Sequence, residues 1–332
     1  MVHSKILSGG RLSVHTFQRR MATLLPGARP VVGGGTLEVT SPAHDEPTVR
    51  SATVIEHTSM TAHAVGGAAT VGFGGFLDGT QRSEVSHYIG FAPIVIGHVA
   101  AVIRTRTDGR MRTWRAPLIE DRVYVPRRFV PASMWDTMKE ECGDLLVDTL
   151  DGNSAANSHP YALRDVAISR VQTHRDQLEQ QLGNDWCASE RDTLFLDGGI
   201  SGSETVALSR KTIGVIKTHR RLYAEGDDLL VVLALRHRER SSVFRVPSAT
   251  RTEVASWYLR LRDPEGHDPT WGLVRVEAAL PDAAVEEIST RADEVSRWIL
   301  AEVTPLALPD ARWDKMVYGI RDCEEYLRAV TQ

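Results

Sequence analysis

Two apolar segments of the chain each end in the sequence Leu-Asp-Gly. The first begins at Val71 and leads to Asp78, and the second, Leu194–Leu196, leads to Asp197. Short apolar runs bounded by glycine or charged residues are typical of buried strands, so we expect each aspartate at a strand tip. Asp-Gly is also a common turn dipeptide, but two copies behind matching runs favour a functional pair. On neighbouring strands the two carboxylates would offer hard oxygen ligands to Mg²⁺ or Mn²⁺.

A third acid is offered by the clearest helix in the sequence, residues 161–182. Apolar residues recur there at steps of three and four, Pro160 suits a helix start, and Gly183 predicts its end. Glu179 lies beside the apolar stripe, so its carboxylate faces either solvent or the metal site. Asp165 on the same helix is the alternative acid.

Basic residues follow the second aspartate. The apolar segment 213–216 ends at Lys217, and a lysine there can hold a phosphate as a point charge. Taken alone, a solvated strand end is the more common explanation of such a lysine. Arg220, Arg221 and, on a later alternating segment, Arg275 are the other candidates for contact with DNA.

The composition limits the classes of protein to consider. The net charge of −4 over 332 residues gives no overall basic signature, so any nucleic-acid contact must come from a local patch. Three cysteines without CxxC spacing argue against a disulfide framework or a zinc site. No apolar run approaches the roughly 20 residues of a membrane span, and no signal peptide is recognisable. We therefore expect a cytoplasmic protein without membrane contact.

The elements that must position these residues predict an α/β fold. An antiparallel meander is expected between residues 88 and 113, with helices over 132–150, 282–302 and 323–330. Residues 1–70 are predicted to be an N-terminal extension of unknown role, and residues 71–332 a single domain. A strand aspartate, a meander, a helical acid and a second strand aspartate suggest an RNase H-like fold, a mixed central sheet flanked by helices. No Walker A loop, dinucleotide fingerprint or Ser-His-Asp arrangement competes with this interpretation.

In these motifs the chain resembles the NurA family of nucleases, which process DNA ends together with HerA-type hexameric ATPases. The resemblance covers roughly residues 70 to 332. It rests on the order and spacing of seven segments, namely Phe76–Thr80, Arg175–Glu179, Leu194–Gly199, Ile213–Lys217, Ser256–Leu261, Gly272–Glu277 and Tyr318–Ile320.

The resemblance implies Mn²⁺- or Mg²⁺-dependent cleavage of DNA by an exonuclease or endonuclease, in DNA repair or antiviral defence. It also implies a homodimer that docks onto a HerA-like ATPase. Asp78, Glu179 and Asp197 correspond to the metal-binding acids of the family, with Lys217 and Tyr318 as further catalytic residues. A site of this type holds two metal ions that activate water and stabilise the leaving oxygen.

One part of the family pattern is absent, and other functions stay open. Family members often carry a histidine after the C-terminal tyrosine, whereas this tail has Asp322, Glu324 and Glu325. A nuclease-dead adaptor that binds and regulates the ATPase is one alternative function. An RNase of the same fold is another, since the metal chemistry would be the same and no reader of the 2′-hydroxyl is identifiable.

Overall fold

The protein has a mixed α/β structure in which a large mixed sheet is flanked by helices. The structure is a computed structural model that describes residues 13–30, 36–37, 47–108, 110–150, 158–246, 251–280, 285–303 and 317–331. The α-helices in these ranges are α1 (Val14–Leu24), α2 (Ala132–Cys142), α3 (Pro160–Ser189), α4 (Glu204–Leu208), α5 (Gly226–Ala234), α6 (Val285–Glu302) and α7 (Tyr318–Val330). None of them is long and apolar enough to cross a membrane.

The strands of the described residues follow the same chain order. Those of the first half are β1 (Ala28–Pro30), β2 (Thr36–Leu37), β3 (Thr48–Val49), β4 (Thr53–Val54), β5 (Ala62–Ala64), β6 (Phe73–Ile89), β7 (Ala92–Thr107), β8 (Arg110–Thr113), β9 (Leu118–Val125) and β10 (Leu146–Asp148). Those of the second half are β11 (Thr193–Asp197), β12 (Thr212–Ile216), β13 (Arg221–Leu222), β14 (Glu239–Ser241), β15 (Phe244–Val246), β16 (Val254–Arg260) and β17 (Leu273–Ala279).

The chain is divided into two compact units. The first comprises Met1–His44, Gly79–Ala100 and Leu118–Leu178, and the second Asp45–Asp78, Ala101–Pro117 and Glu179–Gln332. Strands β6 and β7 and helix α3 therefore contribute residues to both units. The residues before position 70, predicted to form one extension, are shared between the two.

The first unit is built on the strand order β10-β9-β7-β6. Strands β6 and β7 are joined by Gly90 and Phe91, and Gly90 has a φ of +60° that suits a tight turn without a Cβ. Helices α1 and α2 pack against these strands. Their buried apolar side chains include Phe17, Met21 and Met138.

The second unit contains the order β6-β11-β12-β17-β16-β14-β5. Strands β6, β11 and β12 are parallel to one another. From β12 onward, each strand of this order is antiparallel to the next, through β17, β16, β14 and β5. A cluster of Phe73, Phe76, Phe195 and Trp298 packs α6 onto the parallel strands, with ring centroids 5.1–6.1 Å apart.

Strand β6 differs from its predicted form, because it does not end at Asp78. It continues through Gly79 as far as Ile89. Polar Ser83 and His87 occupy buried positions of this second half, together with Val85 and Ile89. These polar residues hide the apolar alternation that would have indicated a strand. Asp78 thus lies within a long strand, level with the end of its shorter neighbour β11.

Two predicted helix ends were also wrong. Helix α3 passes through Gly183 and ends at Ser189. A Cβ at Gly183 would lie 3.1 Å from Val206, so this glycine serves close packing rather than termination. The helix predicted over 132–150 ends at Cys142, where Gly143 adopts a φ of +58°, and the chain then enters β10.

Candidate functional site

The two Leu-Asp-Gly segments lie on neighbouring strands, β6 and β11, which pair parallel. In the pairing of β6 with β11, Leu77 is opposite Leu196, so Asp78 and Asp197 follow at the same level. Strand β11 ends at Asp197. Gly198 then turns the chain with a φ of +141°, a conformation that favours glycine.

Both aspartates occupy the same face of the second unit's sheet. Side chains alternate along a strand, so Asp78 shares a face with Phe76, and Asp197 shares one with Phe195. The rings of these two phenylalanines lie 5.9 Å apart, which places all four side chains on one side. Gly75 belongs to the opposite face, where a Cβ would lie 2.6 Å from Trp186 of α3.

The carboxylate of Asp78 has a strongly shifted pKa. Burial raises its pKa well above the usual range, and the negative charges of Asp197, Glu179 and Glu324 raise it further. The positive charge of Lys217 acts in the opposite direction. Several carboxylates therefore act on one partly buried acid, an arrangement that is common at functional sites.

Asp197 is held by the lysine of the next strand. Strand β12 pairs parallel with β11, so Lys217, just beyond its end, lies beside the tip of β11. Its Nζ donates to Oδ2 of Asp197 over 2.8 Å, and both side chains are 22% exposed. The ammonium group thus neutralises one acid of the group while remaining accessible to solvent.

Glu179 approaches from α3, which packs on the face of the sheet opposite Asp78. It is partly buried and acts electrostatically on Asp78. The alternative acid Asp165 lies fourteen residues earlier on the same helix, which is roughly 21 Å along the axis. Its carboxylate is 46% exposed and lies 3.5 Å from Arg164.

The loop after Asp197 is held by a residue that the sequence analysis did not select. Glu277 on β17 is buried, and its Oε2 accepts a hydrogen bond from the backbone N–H of Ile200 over 2.9 Å. Its Oε1 accepts from Nη1 of Arg275 over 2.7 Å. The alternation of Arg275 and Glu277 along one strand was the sequence signal for this pair.

The predicted DNA-binding arginines have different environments. Arg275 is only 9% exposed, and its guanidinium lies over the ring of Tyr223 at 4.9 Å. This placement suits a structural role better than contact with a phosphate. Arg220 and Arg221 are exposed at β13, which pairs with β3.

The C-terminal helix α7 begins at Tyr318 and packs on β6 beside Asp78. A Cβ at Gly319 would overlap the ring of Phe76, so helix and strand are in close contact. Sγ of Cys323 donates to the carbonyl oxygen of Phe76 over 3.3 Å. Glu324, the next residue, was noted in the sequence only as one of three tail acids.

A second group that could hold a metal ion lies on β5 and the segment before it. The ligating atoms of Glu56, His57 and His63 all lie within 4.8 Å of one another, a spacing that the described carboxylates around Asp78 do not meet. Both oxygens of Glu56 already accept hydrogen bonds from Arg240, over 2.8 and 2.9 Å. The two imidazole rings are stacked nearly parallel, so their in-plane lone pairs do not converge. An ion here would have to displace these contacts.

The donor set around Asp78 fits a hard divalent cation. Asp78, Asp197 and Glu179 supply only carboxylate oxygens, which suit Mg²⁺ and Mn²⁺ better than soft metals. Partial burial and the charges of the neighbouring acids raise the pKa of Asp78, so negative charge is concentrated at this position. A bound cation would offset that charge.

No protein-family model matches this chain, and no curated protein matches it either. The function proposed below therefore rests on the carboxylate group and on the elements that position it.

Proposed function

We propose that the protein is a metal-dependent nuclease that cleaves DNA with Mn²⁺ or Mg²⁺. The observation that carries this proposal is the parallel pairing of β6 with β11, which sets Asp78 and Asp197 at one level on one face. The partly buried position of Asp78, among other acids and one lysine, supports a cation site rather than a pair of turn residues. Phosphodiester hydrolysis is the reaction that such a carboxylate group serves best.

The order of elements supports an RNase H-like core. Strand β6 carries Asp78 and turns back through β7 at a two-residue connection, which requires antiparallel strands. Helix α3 with Glu179 follows, and then β11 with Asp197. A strand aspartate, a meander, a helical acid and a second strand aspartate are the features on which the RNase H-like prediction was based.

Each residue of the site has a distinct proposed task. Asp78, Asp197 and Glu179 would hold the cations, which when bound activate the attacking water and stabilise the leaving oxygen. Lys217 orients Asp197 through their ion pair, and where a bound cation takes over that carboxylate the ammonium group would present positive charge to a phosphate of the scissile strand. Tyr318, at the start of α7, is the proposed catalytic residue of the C-terminal segment.

We further propose that the nuclease is a homodimer that works with a HerA-like ATPase in DNA end processing or antiviral defence. This part of the proposal is supported by the resemblance to NurA nucleases. It is also supported by the net charge of −4, which gives weak attraction to DNA and favours a partner that delivers it.

The test is a cleavage assay on linear duplex DNA with Mn²⁺, repeated with EDTA and with RNA of the same sequence. Asp78→Asn and Asp197→Asn should each abolish cleavage, because each removes a ligand charge without changing the side-chain volume. Asp165→Asn is the matched control, since it changes an exposed acid on the helix of Glu179 and should retain activity.

The outcomes separate the candidate functions. Metal-dependent cleavage of DNA that both strand-aspartate variants lose supports the proposal. Cleavage of RNA alone would favour the RNase, and an inactive wild-type protein that still binds the ATPase would favour the adaptor. If Asp165→Asn inactivates the enzyme and Glu179→Gln does not, Asp165 replaces Glu179 as the helical acid.

A further inference from the structure

The face of the sheet that carries Asp78 and Asp197 is covered by α7, not by α3. Phe76 shares that face, and its ring lies directly under Gly319 of α7. Gly75 and Leu77 point to the other side, where their neighbours are Trp186 and Gly183 of α3. An acid on α7 therefore approaches the two aspartates from their own side, whereas Glu179 must reach them from the other.

Helix α7 is fixed in place at the level of Asp78. Its buried face consists of Gly319, Ile320, Cys323 and Leu327. The hydrogen bond from Sγ of Cys323 to the carbonyl oxygen of Phe76 holds the helix two residues from Asp78. Arg104 of β7 donates to Oδ1 of Asp322 over 2.5 Å and anchors the adjacent position.

Glu324 is the least exposed of the three acids on α7. It follows Cys323 directly and lies four residues after buried Ile320, so it stands at the edge of the packed face. Its side chain is only 24% exposed, whereas Glu325 beside it is 60% exposed. Its negative charge also raises the pKa of Asp78.

We propose that Glu324 is a carboxylate ligand of the divalent-cation site, acting with Asp78 and Asp197 from the same face of the sheet. This inference rests on the proposed function, because it assumes that the two aspartates bind a cation. It assigns to the C-terminal helix an oxygen donor that suits Mn²⁺ or Mg²⁺.

The experiment measures Mn²⁺ affinity directly, by calorimetric titration without DNA. All proteins carry His57→Ala, which removes an exposed member of the second possible metal group. Glu324→Gln should weaken Mn²⁺ binding at least tenfold while the melting temperature in EDTA stays within a few degrees. Glu325→Gln, the exposed neighbour, should leave the affinity unchanged.

A second control separates ligation from helix stability. Glu324 also lies 3.7 Å from Arg328, one helical turn later. Arg328→Ala breaks this ion pair and keeps the carboxylate, so it should bind Mn²⁺ as the parent does. If Arg328→Ala weakens binding as much as Glu324→Gln, the effect comes from α7 itself and the inference fails.

The results also separate this inference from the proposed function. If Asp78→Asn abolishes Mn²⁺ binding and Glu324→Gln leaves it unchanged, Glu324 is not a ligand. The proposed nuclease function would not be affected by that result. A parent protein that binds no Mn²⁺ would overturn both.

Discussion

Asp78 is a residue whose charge is costly in the folded protein. A carboxylate that loses water on folding favours its neutral form, and the charges of Asp197 and Glu179 add to that preference. Selection for stability alone would replace such a residue with a neutral one. The proposed cation would offset this charge.

The first prediction is that Asp78→Asn raises the stability of the protein in EDTA while abolishing cleavage. Because folding raises the pKa of Asp78, the native state binds more protons than the unfolded state between about pH 4 and the raised pKa. Stability therefore falls as the pH rises through the raised pKa, and asparagine removes that loss. Thermal melts should show a gain of a few degrees at pH 8 that disappears near pH 3.

This stability prediction has a control variant and a result that would contradict it. Asp165→Asn, which changes an exposed acid, should not change the melting temperature at either pH. A variant Asp78→Asn that is less stable than the parent at pH 8 would mean that the charged carboxylate contributes to folding.

The second prediction concerns Glu56, a buried acid with the opposite shift. Burial raises its pKa, but hydrogen bonds from Arg240 and Ser289 outweigh this and lower the pKa to about 2. Glu56→Gln removes one of the two carboxylates that pair with buried Arg240, the other being Asp293, and should cost about 1–3 kcal/mol in the free energy of unfolding. Urea denaturation at pH 7 measures this loss.

The pH dependence of the Glu56 pair follows from the same shift. The stabilisation is fully present above about pH 4.5, near the unfolded pKa, and is lost as the pH falls toward 2. Glu253→Gln is the matched control, because its pair with Arg245 is 45% exposed on both sides. A surface pair of this kind contributes less than about 1 kcal/mol, so equal losses in the two variants would contradict the prediction.

At the scale of elements, the sequence predicted which strands pair but not which helix covers them. The two Leu-Asp-Gly runs were recognisable because each is apolar up to the aspartate, and β6 and β11 are indeed neighbours. The second half of β6 was missed, since buried Ser83 and His87 interrupt its alternation. The place of Glu324 was not recognised either, because a glycine such as Gly319 gives no local sign of the helix packing it permits.

The third prediction tests the contact between α7 and β6. Gly319→Ala places a methyl group where the Phe76 ring lies, and overpacking of this kind costs about 1–3 kcal/mol. Pushing α7 off the strand should also weaken Mn²⁺ binding if Glu324 is a ligand. Gly66→Ala is the control, since a Cβ there meets nothing within 4 Å.

The double variant Gly319→Ala with Phe76→Leu distinguishes local overpacking from a general helix defect. Removing the ring makes room for the added methyl group, so the double variant should be more stable than the sum of the single losses predicts. Strictly additive losses would show that the two residues do not share this contact.

For the whole molecule, weak and salt-sensitive DNA binding is the fourth prediction. Arg275 is buried and Lys217 is paired with Asp197, so exposed Arg220 and Arg221 supply the remaining positive charge of the predicted patch. Two phosphate contacts correspond to a slope of about −2 in log affinity against log salt concentration. Fluorescence anisotropy in EDTA measures the slope, which the double variant Arg220→Ala, Arg221→Ala should bring close to zero. Arg245 is an exposed arginine elsewhere, so Arg245→Ala should not change the slope.

A slope steeper than about −5 in the parent protein would contradict the prediction, because it would require a larger basic surface than these residues provide.

The fifth prediction is that a dimer and a translocating ATPase compensate for this weak binding. A chain with a net charge of −4 cannot retain a long duplex through two arginines. Two copies related by a twofold axis would double the patch, and a ring ATPase would supply DNA at a concentration that the nuclease alone cannot reach. Light scattering after gel filtration should therefore give twice the chain mass of 36.7 kDa.

Adding a HerA-like ATPase with ATP should increase cleavage at 150 mM salt more than at 25 mM salt, because weak binding limits the rate only at the higher salt. Stimulation that is equal at both salt concentrations would mean that the ATPase acts on the catalytic step, and a monomer with no stimulation would remove the partner from the proposal while leaving the metal site intact.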